Sequence, residues 1–220
     1  FLYGVFLIYL FMNTVKRNRS PSIEKTEATK NSILKAALKK FLEVGFANTK
    51  IRDIADLAQV GVGTVYCYFK TKEDLFEGVI NIMLNEEFMV VKADTLKPDQ
   101  SVYEFLYKHF EQIIESIYSS GRDGISKLVI KEGQNFPQLK EIYFNKMVTP
   151  YLREFEKLAT IANERKEISL TCTPAEFALL IVAPIWMGIL YNGILQESES
   201  ISINHIFYSN LYALFHSKVS

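Results

Sequence analysis

The residues best equipped for recognition chemistry lie between Ile51 and Lys72, where the chain reads IRDIADLAQVGVGTVYCYFKTK. Thr64, Tyr66 and Tyr68 carry hydroxyls able to donate to phosphate oxygens, and Arg52 and Lys72 bring positive charge to the same stretch. Lys72 opens a further helix, whose first backbone N–H groups sit at a positive dipole end. Val62 offers its methyls to a thymine methyl, a contact made in the DNA major groove. Gly63 completes the outward set, with Cys67 beside it. None of these positions on the second helix is an Arg or Asn that would grip one base with two hydrogen bonds. Part of any sequence preference is therefore expected from DNA shape.

Other chemistry is thinly supported. His109, His205 and His216 are far apart in sequence, with no cysteine or carboxylate at metal-ligand spacing. Neither a phosphate-cradling glycine loop nor a Gly-x-Ser-x-Gly nucleophile motif is present. No enzymatic activity, metal or cofactor is expected. The two cysteines, Cys67 and Cys172, are too few for a disulfide framework and suit a reducing cytoplasm. Cys67 is read as a small filler, with oxidation that releases DNA as the alternative.

These residues need elements to hold them. Helical periodicity marks residues 27–44, with Ile33, Leu34, Ala37, Leu38, Phe41 and Leu42 on one face and Gly45 as the stop. Segments 50–58 and 62–68 follow, and 72–92 opens behind Thr71 as N-cap. Two short helices three or four residues apart form a helix-turn-helix. In it small Ala55 permits a close crossing, and Ile54, Leu57, Ala58, Val60 and Val65 seal the corner. The competing interpretation makes Tyr66, Tyr68 and Phe69 a core stripe. Val65 and Phe69 do share a face, but 100° per residue puts Tyr66 and Tyr68 on its two flanks.

Further helices are predicted over 101–119, 123–134, 137–165 with a bend at Pro150, 174–196 behind Thr173, and 202–217. The chain is thus all-α with about nine helices. Its 49% hydrophobic content excludes wholesale disorder, and ten Gly with six Pro disfavour a turn-rich β fold. The formal charge of zero conceals a division. Residues 12–72 carry twelve Lys/Arg against five Asp/Glu, a net of +7, which leaves the rest at −7. A basic end on an acidic body points to one polyanion-facing module.

The run Gly61-Val62-Gly63-Thr64-Val65-Tyr66-Cys67-Tyr68-Phe69-Lys70-Thr71-Lys72-Glu73-Asp74-Leu75 resembles the signature of TetR-family transcriptional regulators. The resemblance covers about residues 30–78 and implies that Thr64, Tyr66, Tyr68 and Lys72 line an operator. Two positions depart from the pattern: Gln59 stands where the turn usually has Gly, and Gly61 where Ser or Thr is common. The resemblance further implies three regions: an N-terminal extension (1–25), a three-helix helix-turn-helix DNA-binding domain (26–72), and a larger helical effector-binding and dimerisation domain (73–220). It implies a cytoplasmic repressor that binds a palindromic operator in double-stranded DNA as a homodimer through 174–196 and 202–217. A small apolar or aromatic effector would release it. Phe110, Tyr118, Tyr143, Phe144 and Trp186 are the candidate lining of the effector cavity, and His109 is either its polar handle or, preferably, a surface residue.

Two apolar segments carry the alternatives. Residues 1–11 are too short to span a bilayer, and Met12 is expected to be the true start, with 1–11 outside the native protein. Phe177–Leu195 is uncharged and long enough to span, yet Pro184, Gly188, Asn192 and Gly193 interrupt it and basic flanks are missing. Burial in a dimer core is the preferred reading, with no membrane involved. A membrane-anchored protein and a helical interaction module that ignores DNA stay as alternatives.

Overall fold

The structure is a computed structural model of the 220-residue chain and describes residues 23–84, 91–195 and 200–216. The expected extension up to residue 22, including residues 1–11, lies outside the described residues, as does position 217 of the last helix and position 196 of the one before. Among the described residues there are helices and no strands. They are α1 (Ile23–Asn48), α2 (Ile51–Leu57), α3 (Val62–Tyr68), α4 (Lys72–Leu84), α5 (Val102–Glu115), α6 (Arg122–Glu132), α7 (Pro137–Tyr143), α8 (Thr149–Glu164), α9 (Pro174–Leu190) and α10 (Ile203–His216). A π-turn, Phe144–Val148, joins α7 to α8 in one long rod, which makes nine rods among the described residues.

The described part of α1 already begins at Ile23, inside the segment assigned to the extension. Helix formation does not persist from 72 through 92 either: Val91 and Lys92 are irregular and a 3-10 turn follows at Ala93–Thr95. In the long rod the irregularity lies one turn ahead of Pro150. Proline has no N–H to bond the carbonyl four residues back, and its ring crowds that carbonyl, so the turn it faces widens.

Two apolar cores organise the molecule. The first gathers Ile33, Leu34, Ala37 and Phe41 of α1, Ile54 and Ala55 of α2, Val65 of α3, Leu75, Phe76, Val79 and Ile80 of α4, and continues into Ile125, Leu128 and Val129 of α6 and Leu139 and Tyr143 of α7. The packing therefore does not divide at residue 72, because α4 and α6 are built into the same core as the helix-turn-helix. Phe46, Phe41 and Phe76 form its aromatic centre, with ring centroids 5.4 to 6.1 Å apart. The second core joins α5, α8, α9 and α10 around Phe110, Phe155 and Phe207.

Local signals explain where elements start. Thr71 and Asp74 cap α4 reciprocally: the Asp74 N–H donates to Thr71 Oγ1 at 3.0 Å, and the Thr71 N–H to Asp74 Oδ2 at 2.9 Å. Thr173 and Glu176 do the same for α9, at 3.2 and 2.8 Å. Helix α9 with its following π-turn runs Pro174–Leu195 and is apolar enough to cross a membrane by length and composition. Here one side of it packs between α8 and α10, with Phe177, Ala178, Ile181 and Ile189 buried.

Gly78 is where α4 touches both α1 and the end of α3. A Cβ there would stand 2.5 Å from Leu34 Cδ2 and 3.0 Å from Phe69 Cε1. Gly78→Ala is expected to lower stability by about 1–3 kcal/mol through overpacking. Urea unfolding followed by circular dichroism measures it.

Candidate DNA-binding interface and effector cavity

Helix α3 is anchored by Val65 and Phe69, both buried, and by half-buried Tyr68, whose ring tilts against Phe69 at 6.4 Å. The opposite side presents Val62, Gly63, Tyr66 and Cys67 to solvent, with Thr64 half-buried between. Tyr66 is 46% exposed and Val62 37%. Arg52 of α2 is also exposed. Six of the seven expected DNA-facing residues are thus on or beside one surface, although Tyr68 spends part of its ring in the core.

The turn that aims α3 is closed by backbone bonds. The N–H of Val60 reaches Ala55 O at 3.0 Å and that of Gln59 reaches Asp56 O at 3.2 Å, which is the doubly bonded end of a helix that turns left-handed. Gln59 takes that conformation, at φ 56°, for about 1–2 kcal/mol in a residue with a Cβ. Gly61 is the N-cap of α3 and supplies no side-chain cap.

Lys72 is placed differently from expectation. Its Nζ donates to Phe46 O at 2.6 Å, Thr49 O at 3.1 Å and Ala47 O at 3.2 Å. An ammonium has three donors, and all three are engaged within the protein. The Nζ also lies 4.5 Å from the centroid of the Phe46 ring. Burial draws its pKa below the ordinary lysine value, while the carboxylates of Glu73 and Glu132 pull the other way. The Lys72 ammonium closes the C-terminal carbonyls of α1. Glu132 of α6 completes this junction, with its two oxygens accepting from the Phe46 N–H at 2.9 Å and the Ala47 N–H at 2.7 Å. Nothing in the local pattern around residue 132 announces that role, since its partners are 85 and 86 positions away.

Below the junction a small apolar cavity of about 110 Å³ is lined by Phe110, Tyr143 and Trp186 from the expected set, together with Met147, Tyr151 and Phe155 among others. Tyr143 meets Trp186 edge-on at 5.8 Å, and its hydroxyl shares a 2.9 Å hydrogen bond with Ser126. Burial pushes the Tyr143 hydroxyl up to about 12. Two expected residues do not line this space. Phe144 is 43% exposed and stacks on Trp186 at 6.5 Å. Tyr118 is 52% exposed on another side of the molecule, where its hydroxyl accepts from Asn192. Tyr143 and Phe144 are adjacent aromatics at the start of the widened turn, and chemical type alone does not tell which of them faces inward. Lining residues Val182 and Ile185 of α9 were missed because that helix is apolar all round and shows no face. A wider groove of about 770 Å³, sharing Tyr151, carries Lys92, Lys146, Arg153 and Lys157. It lacks the low charge expected of the effector site.

His109 is not the surface residue anticipated. Its ring stacks on Phe105 and meets Phe110 edge-on, and its Nε2 is buried without a hydrogen-bond partner among the described residues. Burial lowers its pKa to about 4.

Two measurements follow from this geometry. Lys72→Ala should destabilise the protein by about 1–3 kcal/mol, the cost of leaving partly buried carbonyls without their donor, as chemical denaturation would measure. For His109 the unfolded chain takes up a proton near pH 6.5 and the folded chain near 4. Its contribution is thus intact above 6.5 and lost as pH falls toward 4. Thermal melts across that range should show a fall that His109→Phe reduces.

Residues 33–79 match the family model for bacterial regulatory proteins of the tetR family. The chain is 38% identical over 87 residues to the uncharacterized HTH-type transcriptional regulator YhgD of Bacillus subtilis, covering 39% of this chain and 44% of that protein. Over 86 residues it is 31% identical to the HTH-type transcriptional repressor NicS of Pseudomonas putida, covering 38% and 41%. The aligned part therefore spans less than half the length of these curated relatives. The whole fold is similar to that of the fatty acid degradation regulator FadR from Bacillus halodurans, with a TM-score of 0.64 at 14% identity over 91% of this chain and 99% of that one. Residues 33–79, with the signature run on an exposed short helix, are thus similar to the DNA-binding segment of bacterial regulatory proteins of the tetR family, within a chain whose all-helical fold resembles that of a solved regulator.

Proposed function

We propose that the protein is a cytoplasmic, dimeric transcriptional repressor that binds a palindromic operator and is released by a small apolar ligand. The observation that carries the reading is the division of α3. Two buried anchors fix the helix, while Val62, Gly63 and Tyr66 are exposed. A helix presented in this way fits the major groove. Arg52, Thr64, Tyr66 and the rim of Tyr68 are assigned to phosphates, and Val62 and Gly63 to base edges. Lys72 is assigned to the scaffold. The assignment of repression is supported by the name of NicS, a repressor.

Dimerisation is supported by what α9 and α10 leave uncovered. Leu179, Leu180 and Met187 of α9 and Tyr212 of α10 are each about half exposed, on the helices assigned to the homodimer, 174–196 and 202–217. A second copy that covers them supplies the two reading helices a palindrome needs. It also accounts for the apolar α9 without a membrane. The effector is assigned to the cavity of Phe110, Tyr143 and Trp186, with the Ser126–Tyr143 hydroxyl pair as its polar contact. At about 110 Å³ this cavity is below the roughly 300–1,000 Å³ usual for ligands, so binding must widen it. The groups that move with it are Tyr143 and the π-turn.

Selection of random duplex DNA by the purified protein tests the reading. A palindrome with half-sites about one helical turn apart is the expected outcome. Retention of DNA with no enriched sequence would reduce the basic end to an electrostatic binder. No retention, by a protein that carbonate fails to extract from membranes, would favour the membrane-anchored alternative.

A further inference from the structure

We infer that Glu132 is a positioning residue for operator recognition: its carboxylate grips the Phe46 and Ala47 amides and so fixes the distance between the two reading helices of the dimer. The inference rests on the dimeric operator-binding reading above. The observations are local and concern one short stretch of chain. After the left-handed Gly45 (φ 81°), α1 cannot satisfy its own terminal peptide groups. The N–H groups of residues 46 and 47 go to Glu132, at 2.9 and 2.7 Å. The carbonyls of 46, 47 and 49 go to Lys72. Peptide units 46–49 are thus held from both sides, and Ile51 opens α2 two residues later.

The two grips do different things. Lys72 opens α4, directly after the helix-turn-helix, and so ties the head (α1 to α4) to itself. Glu132 ends α6, whose other end carries Arg122, bonded to Met83 O of α4 and to Ser116 and Ser120 beyond α5. Ser126, midway along α6, bonds Tyr143 of the cavity wall. Glu132 is therefore a polar, directional bond from the body to the segment that feeds the helix-turn-helix. Apolar attraction between α1 and α6 is non-directional, whereas a carboxylate bonded to two successive amides fixes one geometry. Gly45 also belongs to this fit, since a Cβ there would collide with Glu132 Oε1.

Two heads on one dimer bind a palindrome with avidity only when their separation matches the half-sites. A loosened head still binds a single half-site, but no longer enforces one spacing. The test uses the palindrome enriched by the wild-type protein, with its spacing varied one base pair at a time, and a duplex with a single half-site. Wild type should prefer one spacing by about ten-fold or more. Glu132→Gln removes the charge and one acceptor. It should keep single-half-site affinity within about two-fold while the spacing preference flattens to about two- to three-fold. Glu132→Asp keeps the charge beside Lys72 but shortens the reach by one methylene, and should give an intermediate preference. It serves as the folded comparison should the first variant melt early.

An undiminished preference in both variants would overturn the inference. So would an equal loss of single-site and paired-site affinity, because that is what simple destabilisation does. Failure of the wild-type protein to enrich any palindrome would instead remove the operator reading on which this one stands.

Discussion

Peptide groups that leave a helix buried must find partners, and in this protein that requirement falls on residues 45–49. Gly45 breaks the helical path of α1 and frees a turn of donors and acceptors against the Phe41–Phe46–Phe76 cluster. Phe46 and Thr49 are buried and their peptide groups partly shielded from water, so side chains take its place there. Thr49 answers Gly45 O with its hydroxyl at 2.6 Å, Lys72 answers three carbonyls, and Glu132 two amides. The head is thereby joined to the body through polar bonds as well as through a shared apolar core. The arrangement of the helix-turn-helix on the rest of the molecule depends on that seam.

Much of the head could be read from the sequence because its signals are local. The Thr71–Asp74 cap, the alternation of Val65 and Phe69 with outward neighbours, and small Ala55 at the crossing each act within a few residues. The left-handed Gln59 was visible as a departure from the expected glycine, and the structure places it in that conformation at φ 56°. What the sequence concealed is non-local. Nothing near Lys72 in sequence shows that its ammonium meets the carbonyls of residues 46, 47 and 49. Glu132 is one of many acids on an acidic body, and only the fold brings it to α1.

The body was legible in outline and not in detail, for a different reason. Its helices were marked by periodicity and by capping at Thr173. Which side chains face the cavity, however, depends on rotation about each helix axis. The π-turn at 144–148 alters that rotation where Tyr143 and Phe144 are found, and α9 has no polar face to fix its own. Tyr118 and Phe144 were placed by their chemical type, and exposure at 52% and 43% removes them from the lining. Tyr143 remains, and it occupies an unusual position: it belongs to the head-side core and also walls the cavity. A ligand that displaces it would disturb packing on both sides.

Helix α3 is only seven residues long, too short to be stable without the core that Val65 and Phe69 enter. Its outward positions contribute little to that anchorage. Val62, Gly63, Tyr66 and Cys67 can therefore change with small effect on folding, whereas Val65 and Phe69 cannot. Such a division makes the outward face of α3 evolvable. A duplicated copy could acquire a new surface chemistry by a few substitutions on one face of one short helix, while inheriting its stability and its cavity unchanged.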